Sequence, residues 1–162
     1  MLPLSVFVLS TLTTGVLAVG RAIVTNQCDT PIYLWSVSGT TSNQTVLPKD
    51  TTYGEKFHLD PVSGGIALKI TSTPNGLFKP NASQLVFAYN VDDSFVWYDL
   101  NSLFGDGFSG RTLRIQPSVE ACDGIVWHDG RTPAGSQVKK CQKDTDLELT
   151  FCTGHCLPSW CT

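Results

Sequence analysis

Six cysteines, Cys28, Cys122, Cys141, Cys152, Cys156 and Cys161, all lie downstream of an uncharged apolar leader, and this combination limits the chain more than any other feature. Residues from Leu2 to about Leu17 carry no charge and include the dense stretch Val6-Phe7-Val8-Leu9. Such a segment is too short to anchor in a bilayer and has the form of a signal-peptide core. Small residues follow at the spacing that signal peptidase reads. Val16-Leu17-Ala18 would place the cut after Ala18 and Ala18-Val19-Gly20 after Gly20; on the second, preferred reading residues 1–20 are a signal peptide and the mature chain begins at Arg21. Beyond a membrane the surroundings are oxidising, and there an even cysteine count reads as three disulfides, with the pairing left open.

The mature chain has the length of a single domain, and its patterning is that of strands. Runs of β-branched and aromatic residues alternate with short turn clusters, as in Ala22–Asn26, Ile32–Ser36, Thr51–Leu59, Gly65–Ser72, Leu85–Val91, Val96–Asp99, Arg111–Gln116 and Leu147–Cys152. Strict two-residue alternation in Ile66, Leu68 and Ile70, and again in Leu113 and Ile115, predicts strands with one buried face. Turn residues fall between the strands, at Asp29-Thr30-Pro31, Thr73-Pro74-Asn75-Gly76 and Gly105-Asp106-Gly107 among others. Many short strands at this spacing predict an all-β domain over residues 21–152, two antiparallel sheets packed as a β-sandwich, followed by a cysteine-containing tail over 153–162.

Charge and hydropathy remove several classes of partner. Eleven Lys and Arg face fourteen Asp and Glu, with no basic run along which a nucleic-acid backbone would shed its counterions. No second apolar stretch approaches the roughly 18–20 residues that cross a membrane. Neither nucleic acid nor membrane is expected as a partner, and a monomer is expected. Two sequons, Asn43-Gln44-Thr45 and Asn81-Ala82-Ser83, sit in polar, turn-rich surroundings suited to glycosylation at Asn43 and Asn81.

Longer motifs carry a family resemblance. Ala22-Ile23-Val24-Thr25-Asn26-Gln27-Cys28, Ile32-Tyr33-Leu34-Trp35, Asp60 through Ile70, Leu85-Val86-Phe87-Ala88-Tyr89 and Val96-Trp97-Tyr98-Asp99-Leu100 resemble the fungal yeast-phase-specific proteins, a secreted, thaumatin-related family. The resemblance implies a small thaumatin-like sandwich without the cysteine-rich insert that forms the far wall of the cleft in plant relatives. In that wider group a cleft lined by an Arg and several acidic groups is thought to bind or cut β-1,3-glucan. Carried over by motif, Lys69 stands where the family has Arg, and Asp99 and Asp106 fall in the aromatic-Asp and Asp-Gly-Phe segments. Val86 falls where the family has Glu. The resemblance also implies a Cys28–Cys152 disulfide. Cys122 and Cys141 bracket Trp127 and a turn-rich segment and are expected to pair, while the pairing of Cys156 and Cys161 in the tail stays open.

Each candidate residue has a structural alternative. Glycoside hydrolysis needs two carboxyl groups about 5–5.5 Å apart for retention, or about 6.5–9.5 Å for inversion. Asp99 and Asp106 are the available pair, yet an Asp ending a strand or set between glycines usually serves its own backbone. Trp35 and Trp97 are expected in the core, and Trp127 is expected to be partly exposed and free to stack on a sugar. His155, Cys152, Cys156 and Cys161 offer soft metal ligands, but their spacing fits no zinc pattern, so no metal or cofactor is expected. No Gly-x-Ser-x-Gly elbow and no His-Glu-x-x-His pair is present. The expectation is a secreted, extracellular or wall-associated protein without catalysis that binds β-glucan or a host surface component. A weak endo-β-1,3-glucanase using Asp99 and Asp106, or a protein-binding antigen or effector, are the alternatives.

Overall fold

The computed structural model describes residues 19–153. The signal-peptide reading therefore falls almost wholly outside the described residues, and so do His155, Cys156, Cys161 and the metal and pairing questions attached to them. Within them the strands are β1 (Arg21–Asn26), β2 (Ile32–Val37), β3 (Thr45–Leu47), β4 (Thr51–Lys56), β5 (Ile66–Thr71), β6 (Gln84–Val91), β7 (Phe95–Leu103), β8 (Leu113–Pro117), β9 (Ile125–Trp127), β10 (Lys139–Gln142) and β11 (Leu147–Phe151). One short 3-10 turn occupies Gly76–Phe78.

Two sheets result, one of five strands in the order β4-β1-β11-β8-β9 and one of six in the order β10-β7-β6-β5-β2-β3. The alternation predicted for Ile66, Leu68 and Ile70 places those side chains inward, against Val24, Leu149 and Ile115 of the opposite sheet's buried set. Leu34, Phe87, Tyr98 and Leu100 complete the inner face of the six-stranded sheet. Each such aliphatic or aromatic residue contributes about 1.5–3 kcal/mol by leaving water, so the facing apolar rows drive the layering.

The structure departs from expectation in three places. Pairing is antiparallel except between β1 and β11, which run parallel from Ala22 beside Leu147 to Asn26 beside Phe151. Strands β3, β9 and β10 are too short for alternation to reveal them. The run expected to reach Leu59 stops at Lys56, and Leu59 itself is exposed.

Two cross-links reinforce the sandwich, one within the five-stranded sheet and one between the sheets. Cys28 and Cys152, which follow β1 and β11, are bonded with Cα atoms 5.1 Å apart. Cys122 and Cys141 are bonded with Cα atoms 5.6 Å apart, which ties the loop after β8 to β10 in the other sheet. A polar strut adds to them. Glu55 on β4 accepts hydrogen bonds from Tyr53 Oη at 2.7 Å and from Tyr89 Oη, on β6 of the opposite sheet, at 2.6 Å. Burial and the adjoining carboxylate push both phenols above their ordinary range, so each stays a donor.

Candidate functional site

With the inner faces filled by the core, a groove remains on the outer face of the six-stranded sheet. Register fixes what stands side by side there. One row reads Trp35, Lys69, Val86 and Asn101 across β2, β5, β6 and β7. The next reads Val37, Ala67, Ala88 and Asp99, and the one after it Asn90, Trp97 and Lys140.

One end of this face is covered. The segment carrying Gly76–Phe78 folds over it, with Phe78 set edge-on to Trp35 at 6.2 Å between ring centroids. Trp35 is therefore only 1% exposed, buried as expected, but beneath this flap and not between the sheets. Gly76 permits the close approach, because a Cβ there would lie 2.5 Å from Thr71 Oγ1. The first residue of that turn could be nothing larger without displacing the flap.

The other end is open. A groove of about 490 Å³ has Ala67, Ala88 and Asp99 on its floor, Val37, Ser38 and Ser63-Gly64-Gly65 on one side, and Trp97 and Val138 on the other. This is within the usual volume of small-ligand sites, roughly 300–1,000 Å³. The small side chains of Ala67 and Ala88, paired across β5 and β6, supply the depth.

Its walls are held by two other carboxylates. Asp60 accepts hydrogen bonds from the amides of Val62 at 2.9 Å and Ser63 at 2.7 Å and from Ser63 Oγ at 2.9 Å. Those backbone donors hold its carboxyl down at about 2 and fix the 60–65 loop. Asp92 accepts from the amides of Ser94 and Phe95, and from the indole Nε1 of Trp97 at 3.2 Å. The same donors lower its carboxyl from the ordinary value. Lys140 Nζ lies 5.2 Å from the Trp97 ring centroid, a cation–π contact that further restricts the ring. Trp97 is thus 41% exposed yet positioned.

The predicted site residues separate. Asp99 lies on the groove floor, where partial burial raises its carboxyl above the ordinary carboxylate value. Lys69 shares the outer face but lies one row away and two strands over, beside Val86. At about 4.8 Å per strand and about 6.6 Å per row, the separation is too large for a direct ion pair with Asp99. Asp106 is not in the groove. Its Oδ1 accepts from the Thr132 amide at 3.1 Å and from Thr132 Oγ1 at 3.2 Å, tying the turn after β7 to the segment beyond β9.

Trp127 and Trp97 exchange the environments expected of them. Trp127 is 2% exposed, packed into the core from β9, and cannot stack on a ligand. Trp97, expected inside, faces outward because Val96 and Tyr98 take the inward positions of β7. The continuous apolar run Phe95-Val96-Trp97-Tyr98 hides this phase in the sequence, although the paired alanines at 67 and 88 hint at a floor. Asn43 and Asn81 are both exposed.

Comparison with known proteins agrees with this architecture. The profile of the family described as Bys1, Blastomyces yeast-phase-specific protein, matches residues 9–153. An antigenic thaumatin-like protein of Arthroderma benhamiae is 30% identical over 145 residues, covering 83% of this chain and 72% of its own. A secreted thaumatin-like protein of Emericella nidulans, calA, is 31% identical over 149 residues, covering 84% of this chain and 83% of its own. Among solved structures, the protein elicitor MoHrip2 of Magnaporthe oryzae superposes with a TM-score of 0.68 at 22% identity, over 83% of this chain and 99% of that one, which shows a shared fold.

Proposed function

The chain belongs to the Blastomyces yeast-phase-specific protein family, and from that premise we propose that it acts outside the cell as a non-catalytic protein that holds a polysaccharide in the outer-face groove. Relatives named as secreted and as antigenic, and disulfides at two places in the sandwich, support an extracellular setting. Wall β-glucan is the first candidate ligand, with a host surface component second.

The observation that carries the reading is the pairing of an oriented, exposed indole with a solitary carboxylate on a shallow apolar floor. An aromatic face suits the C–H side of a pyranose ring. Cleavage would need a second carboxyl group across the bond. The cross-strand neighbour of Asp99 is Ala88, Val86 is paired with Asn101, and the Asp106 carboxylate is occupied by Thr132. The same geometry thus favours holding a sugar chain over cutting it.

Pull-down on insoluble β-1,3-glucan and on chitin tests binding. Retention of the wild-type protein, at least about tenfold reduced in Trp97→Ala, is the expected result for loss of one stacking contact. A reducing-sugar assay on laminarin should show no release above buffer. Release at enzyme rates that disappears in Asp99→Ala would overturn the non-catalytic reading. Retention by neither polymer would favour the protein-binding alternative, in which loops at the ends of the sandwich contact a host protein.

A further inference from the structure

The geometry points to a ligand that carries free amino groups, so that a glucosamine polymer fits the groove better than its acetylated or neutral counterparts. This inference rests on the groove being a saccharide site and narrows the sugar it takes.

The argument begins with charge. Asp99 is the one formally charged residue among those lining the groove, and the remainder are apolar, small or neutral polar. Other nearby carboxylates already have their donors. Asp60 is met by Val62 and Ser63, and Asp92 by Ser94, Phe95 and Trp97. Among the described residues, the Asp99 carboxylate has the adjoining Leu100 amide beside it and no side-chain donor comparable to these. The salt bridges among the described residues, Lys49–Asp29 and Lys139–Asp123, leave it aside.

Cations of the protein itself are turned elsewhere. Lys69 stands a row away beside Val86. Lys139 and Lys140 border a second depression on the far side of Trp97, which Trp97 shares and Asp99 does not. Lys140, in contact with the indole, lines that second depression and not the groove, which Trp97 also lines. A partly desolvated carboxylate without a cation is costly to keep and attracts an ammonium strongly. The upward displacement of its carboxyl by burial agrees with that environment.

Spacing completes the case. Trp97 and Asp99 are two residues apart on one strand and project from the same face, about 6.6 Å from each other. A pyranose stacked on the indole therefore places an equatorial substituent within reach of the carboxylate. A hydroxyl there makes an ordinary hydrogen bond. A protonated amine makes a charge-assisted one, roughly twice as strong, while an acetamide loses the charge and adds bulk.

Titration calorimetry of the intact protein with three hexamers, of glucosamine, N-acetylglucosamine and β-1,3-linked glucose, tests this. The expected result is at least about tenfold tighter binding of the glucosamine hexamer, and in Asp99→Asn loss of that preference, the three hexamers then binding within about threefold of one another. Asp144→Asn, at an exposed turn after β10, should keep the preference, which separates the groove from the acidic surface at large. Equal binding of amine and acetamide, or a preference that survives Asp99→Asn, overturns the inference while leaving the saccharide reading intact. Failure of all three hexamers to bind removes both. Polylysine binding as tightly, and undiminished in Trp97→Ala, would mean that the carboxylate attracts cations without recognising a sugar, and would also overturn it. A thermal melt of Asp99→Asn superimposable on the wild type confirms that folding is not at issue.

Discussion

Two tryptophans with opposite surroundings make the sharpest residue-scale test. Trp127→Ala should cost about 3–5 kcal/mol in urea unfolding, because it empties a fully buried site. Trp97→Ala should change stability by less than about 0.5 kcal/mol and affect ligand binding alone. Tyr89→Phe should cost about 1–3 kcal/mol, since it deprives Glu55 of one of its two phenol donors at the join between sheets. Much at this scale is legible in the sequence. Ile66, Leu68 and Ile70 declare their inward face by alternating with polar or small neighbours. What stays hidden is the phase of a run in which every residue is apolar, as around Trp97, and the exposure of a ring such as Trp127 in a strand of three residues. Nor does a motif that nominates Asp106 as a cleft residue reveal that Thr132, far along the chain, takes up its carboxylate.

Among elements, the flap over Trp35 and the 60–65 loop respond to different perturbations. Gly76→Ala should destabilise by about 1–3 kcal/mol and shift Trp35 emission to the red, as the added methyl group pushes the flap away from Thr71. The loop should respond to acid. The folded carboxyl of Asp60 lies at about 2, below its ordinary value near 3.9, so its contribution is complete above that ordinary value and is lost as pH falls through about 2. The amide resonances of Val62 and Ser63 should move together with that midpoint, whereas the Asp99 carboxyl, displaced upward, should titrate first. Eight of the eleven strands correspond to apolar runs in the sequence. The other three are three or four residues long, and pairing partners hold them in place more than their own composition does.

For the whole molecule, the two bridges differ by the length of chain they close. Cys28 and Cys152 are separated by 124 residues, and replacing both with Ser should cost about 5 kcal/mol in urea unfolding on the chain-entropy account. Cys122 and Cys141 are separated by 19, and the same change should cost about 3 kcal/mol. The long bridge reflects a topology that joins the beginning of the domain to its end. β11 lies in the interior of the five-stranded sheet, flanked by β1 and β8, and without it the pairs β4-β1 and β8-β9 have nothing to join them. Assembly of that layer must therefore wait for residues 147–151 to leave the ribosome. Until then the strands of that layer remain two unjoined pairs, loose enough to thread a narrow channel before they lock together.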